Sequence, residues 1–265
     1  MIEHVGVVIP AADEQELVGR CLESVLDARA QLLDHTRGRV SADVMVVLDA
    51  CRDRTAEVVA GFADVSAVPV AYRCVGRVRA AGSAVAVAHA AVRGVPATHL
   101  WLANTDADSV VPRNWLERMV VLADAGTAVP GADVVVGTVL PGDELIDRAR
   151  DEWLRHHDPR DGHRHVHGAN LGVRASTLQE LGGWSALVDG EDADLVARAE
   201  RASLTVVRTG GIEVRTSARA YGRVPRGFAG YLRRIGAADA VTAGGPGTEV
   251  TGAAEDTDTA IDQAG

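Results

Sequence analysis

The sequence predicts an α/β protein with a mostly parallel central sheet and helices on both faces. Three observations carry that expectation. Aliphatic runs at residues 5–9, 44–48, 68–74, 99–103 and 134–139 read as strands, and helical stretches near 14–29, 55–63, 80–93, 114–125 and 143–156 alternate with them. The runs are near-continuous in Val, Ile and Leu, the pattern of strands covered on both faces. In an open sheet of this kind a ligand sits beyond the carboxyl ends of the strands, so the residues after each strand are the candidates for chemistry.

The first strand leads into Pro10-Ala11-Ala12-Asp13-Glu14, without the G-x-G-x-x-G spacing that lets a backbone approach a dinucleotide pyrophosphate. In the helix that follows, Leu17, Cys21, Ser24 and Val25 mark a core face, with Glu14, Glu16, Arg20 and Glu23 on the wet side. The second strand ends in Asp49, with Asp53 four residues on; the same segment also reads as a turn and a helix cap. The fourth run ends in Asn104-Thr105-Asp106-Ala107-Asp108-Ser109. Two aspartates one residue apart can aim oxygens at one hard divalent cation, Mg2+ or Mn2+, shared with a ligand's phosphates. Asp108 or Ser109 capping a helix prepared by Pro112 accounts for the same residues.

Further on, Gly190-Glu191-Asp192-Ala193-Asp194 opens a helix, where acids are favourable in any first turn. His156, His157, His163, His165 and His167 are five of the nine histidines. The alternation of the last three would suit a zinc site on a strand, but no acidic motif completes one, and a solvated loop is the expectation.

Composition narrows the function. A net charge of -10 and 3% aromatic residues exclude a phosphate-backbone or base-stacking surface, so no nucleic-acid partner is expected. All 27 basic residues are arginines, which removes P-loop, kinase and Schiff-base lysine chemistry. Cys21, Cys51 and Cys74 have neither C-x-x-C spacing nor a secretory context and are expected to be reduced. No run is long enough for a membrane span, and a soluble, cytoplasmic protein is expected. Residues 236–265 carry six acids, no basic residue and few large apolar groups; they read as a disordered tail after a folded domain over residues 1–235.

Taken in order, the landmarks resemble the family 2 glycosyltransferases of the GT-A fold across residues 5–235. Val7-Val8-Ile9-Pro10 with Glu14 is similar to that family's opening, and Val46-Val47-Leu48-Asp49 through Asp53-Arg54-Thr55 to its V-V-D-D-G-S-x-D-x-T segment. Arg79 sits at the A-R-N arginine, and Trp101 through Asp108 resembles the strand entering the D-x-D metal motif. Gly168-Ala169-Asn170 to Arg174, Leu181-Gly182-Gly183-Trp184 and Gly190-Glu191-Asp192-Ala193-Asp194-Leu195 resemble the downstream motifs. Two departures stand out: Leu48 replaces the first Asp of D-D, and Thr216 replaces a late histidine that assists metal or phosphate binding.

The resemblance implies a single GT-A domain that moves a sugar from a UDP- or GDP-sugar to an acceptor hydroxyl with inversion, using Mg2+ or Mn2+. It implies Asp49 on the nucleotide base, Pro10, Arg79, Asp106, Asn170 and Arg223 on the nucleotide sugar, and Asp106 and Asp108 on the metal. Asp192 would be the catalytic base, with Glu191 competing for that role. A nucleotidyltransferase and a catalytically silent nucleotide-sugar-binding domain are the alternatives.

Overall fold

The computed structural model describes residues 1–124, 131–142, 153, 155, 157 and 159–217. The helix expected over 143–156 lies almost wholly outside them, as do Arg223 and the expected tail from residue 236.

The expected strands form β1 (His4–Ala11), β2 (Ser41–Asp49), β3 (Val65–Val70), β4 (Leu100–Asn104) and β6 (Val134–Pro141). Three further strands complete the sheet: β5 (Ser109–Val110), β7 (Leu171–Arg174) and β8 (Val206–Thr216). The helices are α1 (Val18–His35), α2 (Thr55–Ala60), α3 (Val75–Val92), α4 (Trp115–Ala123), α5 (Ala175–Glu180) and α6 (Glu191–Arg201). The strands join in the order β3-β2-β1-β4-β7-β6-β8-β5. The half from β3 to β4 is parallel, as expected. The other half is mixed: β7 runs antiparallel to β4 and β6, β8 parallel to β6, and β5 antiparallel to β8.

Alternate residues of each strand face opposite sides, which explains the unbroken aliphatic runs. Val5, Val7, Val44 and Val46 pack with α1 and α4 in one buried cluster. Val8, Met45, Val47, Leu100 and Leu102 pack with α3, α5 and α6 in the other. Helix α3 is built largely of Ala, Gly and Val and lies close on the sheet; a Cβ on Gly82 would stand 2.5 Å from Val8 Cγ1.

Local boundaries follow the hydrogen bonds available. The strand expected over 68–74 ends at Val70 because the N–H groups of Tyr72 and Arg73 leave the ladder for Asp49 Oδ1. Helix α1 starts at Val18 rather than residue 14, and its buried stripe runs through Cys21, Leu22, Val25, Ala28 and Leu32. Pro10 sits in a central strand without breaking a ladder. Val8 turns its carbonyl toward β4, accepting from Thr105 N–H at 3.3 Å, so Pro10 two residues on faces past the end of β4.

The direction of each strand fixes where chemistry collects. The carboxyl ends of β1, β2, β4, β6 and β8 share one edge, and antiparallel β7 brings its amino end, with the 3-10 turn Gly168–Asn170, to the same edge. Asn170 pins that turn. Its Nδ2 donates to Thr138 O at 2.8 Å and Ile212 O at 3.0 Å, and its Oδ1 accepts from Trp115 Nε1 at 3.0 Å. Gly137 leaves room for this amide, because a Cβ there would overlap it.

Asn170→Ala strips partners from an indole N–H and two strand carbonyls. At roughly 1–3 kcal/mol per unpaired buried group, a loss of about 3 kcal/mol is expected, a fall of about 6–12 °C in Tm by calorimetry. An unchanged Tm would show that the pin is dispensable.

Candidate active site

The loops after β1 and β2 grip each other. Asp13 Oδ1 accepts from Arg52 N–H at 2.5 Å, Asp53 Oδ2 from Gln15 N–H at 3.0 Å, and Gln15 Oε1 from Arg54 N–H at 2.9 Å. Burial works against the Asp53 carboxylate, but hydrogen bonds from Thr55 and Gln15 hold its pKa below the ordinary range. Asp53 is thus a loop clasp. Asp49 is buried, 8% exposed, and its Oδ1 accepts from Tyr72 N–H at 2.7 Å and Arg73 N–H at 3.0 Å. Pro10, half-buried, lies beside Val47 of the neighbouring strand.

The loop after β4 carries the two candidate metal ligands. Asp106 has a 41% exposed side chain, and its Oδ1 accepts from Arg79 Nη2 at 2.7 Å. Asp108 Oδ1 accepts from Thr216 Oγ1 at 3.3 Å. The threonine at the late histidine position therefore stands against Asp108 itself. Neither Asp108 nor Ser109 caps a helix: α4 begins only at Trp115, and Ser109 pairs with Thr216 between β5 and β8. No group of three His, Cys, Asp or Glu among the described residues forms a ready metal cage.

Arg79 is the centre of the arrangement. It projects from the second turn of α3 and is 2% exposed; its Nε donates to Glu191 Oε1 at 2.8 Å, while Nη2 reaches Asp106. Burial alone would lower its pKa, but Asp106 and Glu191 outweigh it and raise the value, so the guanidinium is always charged. Gly168 admits it, since a Cβ there would overlap Nη2. Trp184 lies 5.8 Å from the guanidinium carbon and donates through Nε1 to Ser83 Oγ at 3.0 Å.

The adjacent acids separate by partner. Glu191 is 4% exposed and faces Arg79. Asp192 is partly exposed; its Oδ2 accepts from Gly168 N–H at 2.6 Å and its Oδ1 from Ala193 N–H at 2.7 Å. Burial raises the pKa of both acids against the pull of Arg79, and Asp106 pushes Asp192 up further, which sets the two aspartates in electrostatic reach. Asp194 turns away to Ser185 Oγ at 2.6 Å and Arg198 Nε at 2.8 Å.

Residues 163–167 form no strand, yet their imidazoles line up: His163 to His165 and His165 to His167 are each 6.3 Å between ring centroids. Burial, helped by the neighbouring imidazoles, holds His167 down to about 3, so it is neutral. The three cysteines are free thiols, each donating to a carbonyl of a site loop: Cys21 to Asp106, Cys51 to Ala11 and Cys74 to Leu187. Sequence reasoning missed the Gly168 contact and the Trp184–Ser83 pair, because each joins residues far apart in the chain.

Comparison with known proteins places this geometry. The family model described as "Glycosyl transferase family 2" matches residues 6–178. A mannosyltransferase from Pyrobaculum calidifontis, solved with GDP-Man and Mn2+, superposes with a TM-score of 0.57 at 18% identity, covering 88% of this chain and 60% of that one. S. aureus TarS 1-349 with UDP gives 0.57 at 11% identity over 83% of this chain and 61% of that one. Glucosyl-3-phosphoglycerate synthase from Mycobacterium tuberculosis with UDP gives 0.53 at 17% identity over 90% and 80%. The chain spans about three fifths of the first two neighbours. No curated protein matches it in sequence. The family match over most of the chain and the shared GT-A fold establish that the protein belongs to glycosyl transferase family 2.

Proposed function

We propose that the protein transfers a sugar from a nucleoside-diphosphate sugar to an acceptor hydroxyl, with inversion at the anomeric carbon. The observation that carries this reading is the Arg79 bridge, which holds Asp106 on one side and the Glu191-Asp192 turn on the other. A donor's diphosphate has its place at the first and an attacking hydroxyl at the second. Neighbours with the same fold were solved with GDP-Man and Mn2+ or with UDP.

The residues present fit Mg2+ or Mn2+. Asp106 and Asp108 offer hard oxygens, and two carboxylates suffice when a substrate's phosphates complete the shell. Thr216 supports this by donating a hydrogen bond that orients Asp108. When bound, the ion offsets the charge that develops on the departing diphosphate.

Asp192 is the base that takes the acceptor's proton. The N–H of Gly168 holds its carboxylate in place, and burial raises its pKa toward working pH, which favours proton abstraction. Glu191 is a positioning residue, because its carboxylate is committed to Arg79 inside the protein. Asp49 reads the edge of the base, Pro10 shapes the floor of the nucleotide site, and Asn170 acts through the turn that carries Gly168. Arg223, outside the described residues, is assigned to the diphosphate on sequence alone. Three unpaired thiols suit the cytoplasm as its compartment, with residues 1–235 as the catalytic domain. Incubation with UDP- and GDP-sugars and Mn2+, followed by assay for free nucleoside diphosphate and the anomeric configuration of the product, tests the reading; release of pyrophosphate instead would overturn it.

Asp192→Asn keeps an acceptor for Gly168 N–H but removes basicity, so kcat should fall roughly 10²–10⁴-fold with donor KM little changed. Glu191→Gln should retain far more activity, and equal losses would return Glu191 to the base role. The pH profile of kcat/KM checks the same assignment. A base with a raised pKa is protonated and inactive below that value, so the acidic limb should lie above the ordinary Asp range and disappear in Asp192→Asn. Asp108→Asn should abolish the Mn2+-dependent rise in Tm with nucleotide while leaving the Tm of the free protein unchanged. Asp106→Asn should lower that Tm as well, because Arg79 loses a charged partner.

A further inference from the structure

A nucleobase presents a hydrogen-bonding edge and a flat π face, and tight binding uses both. Asp49 supplies a partner for the edge. Its Oδ1 is occupied by the N–H groups of Tyr72 and Arg73, and no hydrogen bond among the described residues engages its other oxygen. The same contact brings the backbone of Tyr72 directly onto that carboxylate.

Tyr72 is 38% exposed, more than any other Trp, Tyr or Phe among the described residues. Such a ring is scarce in a chain with four Trp, three Tyr and two Phe. The four described Trp side chains, at 101, 115, 153 and 184, are buried. Arg77 lies over the ring, its guanidinium carbon 4.3 Å from the centroid. One face is therefore held by a cation.

The loop that carries the ring is fixed at both ends. Ala50 N–H donates to Val70 O at 2.9 Å, while Cys74 Sγ and Gly76 N–H donate to Leu187 O at 3.2 and 3.0 Å. Arg73 adopts a left-handed φ of 49°, which turns the chain sharply after the tyrosine. Across the site β1 ends in Ala11, followed by Ala12, and offers no ring to compete.

We infer that Tyr72 stacks on the donor's nucleobase, forming with Asp49 the corner of the site that binds uracil or guanine. The inference rests on the donor reading above. Stacking accepts any base, so Tyr72 contributes affinity, while the carboxylate edge selects a base that carries an imide-type N–H. Arg77 is a positioning residue that keeps the ring upright.

Calorimetric titration of the full chain with UDP, or with GDP throughout in its place if UDP does not bind, and, separately, with inorganic pyrophosphate, all with Mn2+, tests this. Tyr72→Ala should weaken UDP by roughly 5–100-fold and leave pyrophosphate within about twofold. Tyr72→Phe, which keeps the π face, should bind UDP within about twofold of the original protein. If Tyr72→Ala lowers the Tm, Tyr72→Leu takes its place and the same UDP-to-pyrophosphate ratio decides. An unchanged ratio, including equal weakening of both ligands, overturns the stacking role. Failure of the unaltered protein to bind either UDP or GDP overturns the donor reading itself, a result distinct from retained UDP affinity in Tyr72→Ala.

Discussion

A guanidinium removed from water must be met by charge, and this constraint organises the site around Arg79. Glu191 meets it at Nε and Asp106 at Nη2, at 2.8 and 2.7 Å. The three groups come from α3, from α6 and from the loop after β4, so one buried cation indexes three segments far apart in sequence. Removing either acid leaves the buried cation with a single carboxylate partner, and removing both would leave it uncompensated. The arrangement therefore holds the two acids in register and makes the fold depend on them.

Topology does the rest. An all-parallel sheet would bring only carboxyl ends to the working edge. Antiparallel β7, inserted between β4 and β6, brings an amino end there, and with it backbone N–H groups free of the strand ladder. The Gly168 N–H that holds Asp192 is one of these. Asn170 secures that turn from below, where its amide is wholly satisfied by α4, β6 and β8.

The parallel half was legible because both faces of its strands are buried, which writes long aliphatic runs into the sequence. The mixed half was not. Strand β7 has four residues and β5 two, and β8 carries Arg208, Thr209, Gly210 and Gly211 where its register with β6 shifts. The positions after strands pointed to Asp49, Asp106 and Asp108, because strand direction alone delivers those residues to the edge. Which of Glu191 and Asp192 meets the buried arginine was out of reach, since that partner lies 112 residues earlier in the chain. The inward use of Asn170 was equally hidden: a polar residue in a Gly-rich segment reads as a ligand contact until its partners are known.

Helix α3 gives the molecule a mechanical property. Its small residues let it lie almost against β1 and β2, with Gly82 over Val8 and Val47. Arg79 rides on the same helix, one turn away. The thickness of the layer between helix and sheet is thus the ruler by which the arginine is set against Asp106 and Glu191. A methyl group added at Gly82 would tilt that ruler, and the distance between Asp106 and the Glu191-Asp192 turn would move with the packing of the core.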